Sequence, residues 1–128
     1  MITPYVNNIE KETLENENFR KEVFTGEHLQ MTVMSLLPGE DIGAEVHHTT
    51  DQFLRIEQGT GKAIVGDQEY DVEDDFAIII PAGMNHNVIN TGEVVLKLYS
   101  IYTPPEHPKG TVHVTKAEAD AAEAEHHH

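Results

Sequence analysis

The chain has 128 residues, of which 38% are hydrophobic, and its mean hydropathy is −0.43. That length suits one domain with a single core, and no run of about 18 apolar residues exists, so no transmembrane helix is expected. Eight basic residues against 23 acidic ones give a formal charge of −15, a field that repels phosphate backbones and argues against nucleic acid as a partner. There is no cysteine, which removes disulfides, thiolate metal sites and thiol nucleophiles together. Met1-Ile2-Thr3-Pro4-Tyr5 has no basic stretch followed by an apolar one. No secretory signal is therefore read there, and the cytoplasm is the expected location.

Residues 7–18 are polar and read as a lead-in with one helical turn. The pattern then becomes strand-like over residues 19–24, 29–37, 42–47, 52–57, 61–65, 69–72, 76–80, 87–89 and 94–102. Pro38-Gly39, Gly66-Asp67, Pro81-Ala82-Gly83 and Thr91-Gly92 punctuate these runs. Gly66-Asp67 and Thr91-Gly92 read as hairpin tips. Many short strands with regular turn signals predict an all-β sandwich or barrel, and no long helical period interrupts them to suggest βαβ units. Pro104-Pro105 ends the last strand, because proline cannot donate to a ladder. Thr115-Lys116-Ala117-Glu118 has capping-box spacing, and residues 119–124 are strong helix formers. A short, exposed C-terminal helix with few apolar anchors is expected. The chain divides into a lead-in and first strand at 1–27, a barrel at 28–105 and a tail at 106–128, all within one domain.

Two segments carry chemistry. Successive strand residues alternate faces, so Glu45 and His47 point the same way. His86 follows the sharp turn Pro81-Ala82-Gly83 and arrives from a different part of the fold. A carboxylate and two histidines converging from distant segments suggest one metal site inside a small barrel. Gln52 opens the run after His47, and antiparallel pairing would bring it alongside. His48 competes with His47, but its face-mate is Val46, so His47 is read as inward and His48 as outward.

These segments resemble the two motifs of the cupin family. The first runs glycine, five residues, histidine, one residue, histidine, three or four residues, glutamate, six residues, glycine. Gly39, Glu45, His47, Gln52 and Gly59 occupy those positions, with Glu45 replacing the first histidine and Gln52 the glutamate. The second runs glycine, five residues, Pro-x-Gly, two residues, histidine, three residues, asparagine. Pro81, Gly83, His86 and Asn90 match it, and Asp75 replaces its leading glycine. The resemblance covers about residues 28–105. It implies a double-stranded β-helix, that is, a jelly-roll barrel, with a short helix following. It also implies a divalent transition metal (Fe, Mn, Ni, Co or Zn) on Glu45, His47, Gln52 and His86. The ligand charge is kept but moved, because Glu45 gains the carboxylate that Gln52 lacks. Dioxygenase or isomerase chemistry on a small organic molecule would follow, with a non-catalytic ligand-binding barrel as the alternative. Similar proteins often form homodimers, and residues 19–37 are the expected contact.

Other residues have plainer expectations. Asp51 is read as capping the Thr49-Thr50 turn and Arg55 as a surface charge. Tyr99, Tyr102, Met31, Met34 and Met84 are read as packing residues, and His107 as exposed on a stiff loop. The scarcity of inward lysine or arginine disfavours a phosphosugar ligand. His126-His127-His128 is either a tag remnant or a native tail, and is set apart from the site.

Overall fold

The alternation of the sequence is met by two antiparallel sheets in a computed structural model that describes residues 3–126. The larger sheet contains β1 (Arg20–Thr25), β2 (Gln30–Leu36), β4 (Asp51–Gln58), β7 (Ala77–Ile80), β9 (Leu96–Thr103) and β10 (Val112–His113). Its order is β10-β1-β2-β9-β4-β7. The smaller contains β3 (Glu45–Val46), β5 (Gly61–Val65), β6 (Gln68–Val72) and β8 (Asn85–Asn90), in the order β3-β8-β5-β6. The architecture is the all-β jelly roll, or double-stranded β-helix, expected from the sequence. Its core holds Met34, Leu36, Leu54, Ile56, Val88, Leu96 and Leu98, each at most 1% exposed. In β4 the side chains of Gln52, Leu54 and Ile56 are buried while Asp51 is exposed, the two-residue period of a half-buried strand.

The ends differ from expectation. The lead-in forms a seven-residue helix, α1 (Ile9–Glu15), capped by Asn8, whose Oδ1 accepts from the Lys11 N–H at 3.0 Å. Lys97 on β9 donates to the carbonyls of Leu14 and Asn16 at 2.6 and 2.9 Å, satisfying the free C-terminal end of α1. The tail helix, α2 (Lys116–His126), starts where the capping signal places it: Thr115 Oγ1 accepts from the Glu118 N–H, and Glu118 Oε2 accepts from the Val114 N–H. It is not the loosely held element expected, because Ala119 is 5% exposed and belongs to the main core. A single small anchor leaves no apolar stripe in the sequence to read. His127 and His128 lie outside the described residues. No described helix is long and apolar enough to cross a membrane.

Gly66-Asp67 joins β5 to β6 as a hairpin, whereas Thr91-Gly92 does not make one. β8 and β9 lie in different sheets, and the chain crosses between them under the Asn90 side chain. The Asn90 amide donates to the carbonyls of Leu36 and Val94 and its oxygen accepts from the Gly92 N–H, all within 3.0 Å. A polar residue 1% exposed is thus fully used to turn the corner.

Asp75 explains its own departure from the motif. Its φ is 71°, in the left-handed region where glycine is favoured and aspartate is among the better-tolerated alternatives. Its carboxylate meets Arg55 at 3.0 Å. Asp75→Val, which places a β-branched residue at that φ, is expected to cost about 1–2 kcal/mol, while Asp75→Gly keeps the parent stability or exceeds it. Urea unfolding of the two variants measures the difference.

Candidate functional site

The site begins with the turn that presents His86. Gly83 has a φ of 90°, which lets the chain reverse within Pro81–Met84. The turn is held from outside as well: the Gly83 N–H donates to the His47 carbonyl at 2.8 Å and the Ala82 N–H to Asp51 Oδ1 at 2.9 Å. Asp51 therefore does not cap the Thr49-Thr50 turn as expected; it ties the loop that carries His86. On β8, His86 is the register partner of Glu45 and is 1% exposed. Its Nδ1 lies 3.1 Å from the Met84 carbonyl oxygen. A carbonyl only accepts, so Nδ1 carries the proton and Nε2 keeps its lone pair. Burial pushes the His86 pKa down, so the ring is neutral.

His47 directly follows β3, with its ring centroid 5.3 Å from that of His86. Its Nε2 is 3.0 Å from Glu45 Oε2 and its Nδ1 is 3.5 Å from Glu106 Oε2. The hydrogen bond to Glu45 raises the His47 pKa, against the opposing effect of burial. Burial alone would raise the Glu45 carboxyl, but the His47 hydrogen bond and charge outweigh it and hold Glu45 below the usual range. Glu45 and His47 thus share a face, as the two-residue period requires, although β3 is only two residues long.

Gln52 is 3% exposed, but its strand does not pair with that of His47. β4 pairs with β7 and β9, in the other sheet. The expected antiparallel pairing fails because the chain changes sheets between Val46 and Asp51. The Gln52 amide donates to Ser100 Oγ at 2.8 Å, and its buried Oε1 has no hydrogen-bond partner among the described residues. His48 is exposed, as expected of the outward histidine. Arg55 makes outer-face ion pairs with Glu57 and Asp75. Tyr99 packs beside Phe53. Tyr102 is 2% exposed and touches the rings of both His47 and His107. Met31 and Met34 are buried, whereas Met84 is 43% exposed and contributes its carbonyl instead of packing.

His107 overturns its expectation. It lies half-buried against Tyr102, at a centroid distance of 5.1 Å, and desolvation with the nearby Arg20 charge pushes its pKa down to about 3. Gln30, fully buried, holds this loop. Its Oε1 accepts from the N–H groups of Glu106 and His107, and its Nε2 donates to the His107 carbonyl. Glu106 in turn accepts from Thr50 Oγ1 at 2.7 Å. Sequence reasoning missed Arg20, Gln30 and Glu106. Only Gln30 left a signal, as a polar residue opening a strand that is buried throughout.

A cavity of about 840 Å³ opens here, walled by Arg20, Glu45, His47, Glu106, His107 and the inner side of α2. No three His, Asp or Glu side chains among the described residues converge closely enough to hold an ion as they stand. The donors nevertheless suit one. Ligand atoms bonded to one ion at about 2.1 Å stand roughly 3.0–3.4 Å apart, and Glu45 Oε2 and His47 Nε2 are 3.0 Å apart. His86 offers a free Nε2 whose ring is oriented by the Met84 carbonyl. Gln52 offers an oxygen with nothing else to bind.

The Cupin domain model matches residues 32–102. The chain is 56% identical over 126 residues to YrkC of Bacillus subtilis (strain 168), covering 94% of this chain and 68% of that protein. It is 41% identical over 119 residues to L612 of Acanthamoeba polyphaga mimivirus, covering 90% and 74%. The crystal structure of BH2720 from Bacillus halodurans superposes with a TM-score of 0.92 at 55% identity, covering 93% of this chain and 95% of that one.

Proposed function

From the premise that this chain belongs to the cupin family, we propose that it holds a divalent transition metal on Glu45, His47, Gln52 and His86 and takes a small organic molecule in the adjoining cavity. The observation that carries this reading is His86. It is buried and neutral, its Nδ1 is fixed by a carbonyl, and its Nε2 is left free beside His47. An Fe, Mn, Co, Ni or Zn ion, when bound, supplies Lewis-acid polarisation of a ligand oxygen, and Fe adds redox chemistry. The protein does the rest. As a ligand His47 would give up the Nε2 proton it now shares with Glu45, and Glu106, 3.5 Å from Nδ1 on the far side of the ring, would orient it. Tyr102 and Ala119 limit water on the core side. Dioxygenase or isomerase chemistry is the activity proposed for such a site.

One observation favours a second reading, a ligand-binding barrel without metal. The Glu45–His47 pair is satisfied by itself, since His47 Nε2 and Glu45 Oε2 already meet at 3.0 Å. The test is elemental analysis of protein freed of residues 126–128 and incubated with each of the five metals. One equivalent retained after dialysis supports the first reading; no metal retained leaves the second. Oxygen uptake and turnover on candidate substrates then separate enzyme from binder.

A further inference from the structure

The cavity wall holds a cation that the metal reading does not use. Arg20 is 6% exposed, and its guanidinium lies over the Phe19 ring at 5.4 Å from the centroid. Its buried Nε has no hydrogen-bond partner, and no ion pair reaches it among the described residues. It faces the same cavity as Glu45, His47 and His107. Its charge acts at a distance on Glu45, Tyr102 and His107, without a direct carboxylate contact.

A guanidinium carries its charge into whatever site it occupies. Burying such a charge without a hydrogen-bonded anion is destabilising. Its planar fork of N–H donors matches two coplanar oxygens. We propose that Arg20 anchors a carboxylate of the cavity's ligand, so that the molecule bound is a small organic acid. The inference rests on the reading of this cavity as the ligand site.

The surroundings choose among anions. Glu45, Glu106 and Glu123 also line the cavity, and the chain carries a net charge of −15. A phosphate concentrates up to two charges on one tetrahedral group facing one guanidinium and several carboxylates, whereas each carboxylate carries a single charge on two coplanar oxygens that match the fork. The acidic field would also repel any anion held nonspecifically. Binding of an organic acid here therefore needs a local cation, and Arg20 is the arginine on the wall.

The experiment is calorimetric titration of malonate, and of uncharged malonamide, into EDTA-treated and Mn-loaded protein. Wild-type protein, Arg20→Met and Arg20→Lys are compared, with thermal melts of each. Malonate is expected to bind wild type in both metal states and malonamide in neither. Arg20→Met weakens malonate by about ten- to hundredfold, the loss of charge-assisted hydrogen bonds, and Arg20→Lys falls between them. Without ligand, Arg20→Met melts at or above the wild-type temperature, because an apolar side chain of similar reach replaces an unpaired buried charge. A structural arginine would show the reverse, a lower melt with unchanged malonate affinity. If Arg20→Met does not fold, Arg20→Lys gives the affinity comparison.

The inference is overturned if wild type ignores malonate in both metal states, or if malonate affinity is indifferent to Arg20. The outcomes separate the two readings. Arg20-dependent malonate binding in protein that retains no metal after incubation with each of the five keeps this inference and sinks the metal centre. Metal retention with malonate binding indifferent to Arg20 does the opposite.

Discussion

His86→Ala protein, freed of residues 126–128, is expected to bind Mn or Zn at least about a hundredfold more weakly than its parent. Outer-shell substitutions alone cost metal sites about ten- to a hundredfold, and His86 would be a direct ligand. The remaining donors do not compensate. Gln52 is neutral, and Glu45 and His47 already satisfy each other. The parent's own affinity should depend on pH, with a sign fixed by His47. The hydrogen bond that His47 donates to Glu45 raises the His47 pKa. The metal-free protein therefore gains stability from the pair that is fully present below the ordinary histidine value of about 6.5 and is lost as pH rises through the raised value. A metal must displace the same proton. Affinity should thus climb about tenfold per pH unit until His47 is deprotonated, then level off. Competition against a metal-sensitive dye over a pH series measures both effects. Equal affinity in parent and His86→Ala protein would remove His86 from the site.

What could be read in advance follows physical lines. The turn of His86 was legible because Pro81 and Gly83 impose a backbone shape, and backbone shape is written in single residues. The strands were legible because burial on one face imposes a period of two. Adjacency along the chain suggests that the strand of Gln52 pairs with that of His47, but the chain switches sheets between Val46 and Asp51. Thr91-Gly92 misled in the same way: a turn signal gives a reversal but not the sheet to which the chain returns. Two-residue β10 carries too few residues for a pattern, yet it covers the outer edge of β1 beside Arg20. Arg20 leaves no signal, because nothing in its neighbours along the chain tells that α2 and residues 105–108 close over it. Long-range packing decided these positions, and a single sequence does not print it.

Gln30→Leu joins fold to site, and its expected effect is large. The substitution keeps the volume and removes every polar atom. The N–H groups of Glu106 and His107 and the His107 carbonyl then lose their partner. Each such group left buried costs about 1–3 kcal/mol, so the total is on the order of 3 kcal/mol after the loop relaxes toward water. The relaxation has its own signature. In the parent, burial and Arg20 lower the His107 pKa from 6.5 to about 3, a value depressed on folding. Between those limits the unfolded chain binds a proton that the folded chain does not, so stability falls as pH falls. From pH 7 to pH 5 this one group removes up to about 2 kcal/mol, less where water reaches the ring. In Gln30→Leu protein the loop is solvated, His107 returns toward its ordinary value, and that part of the acid sensitivity disappears. The variant should be weaker than the parent at pH 7, with the gap narrowing at pH 5. Urea unfolding at the two pH values measures it. A constant gap would mean that His107 stays buried without Gln30, and that the loop is held by the Glu106 contacts to Thr50 and His47 instead.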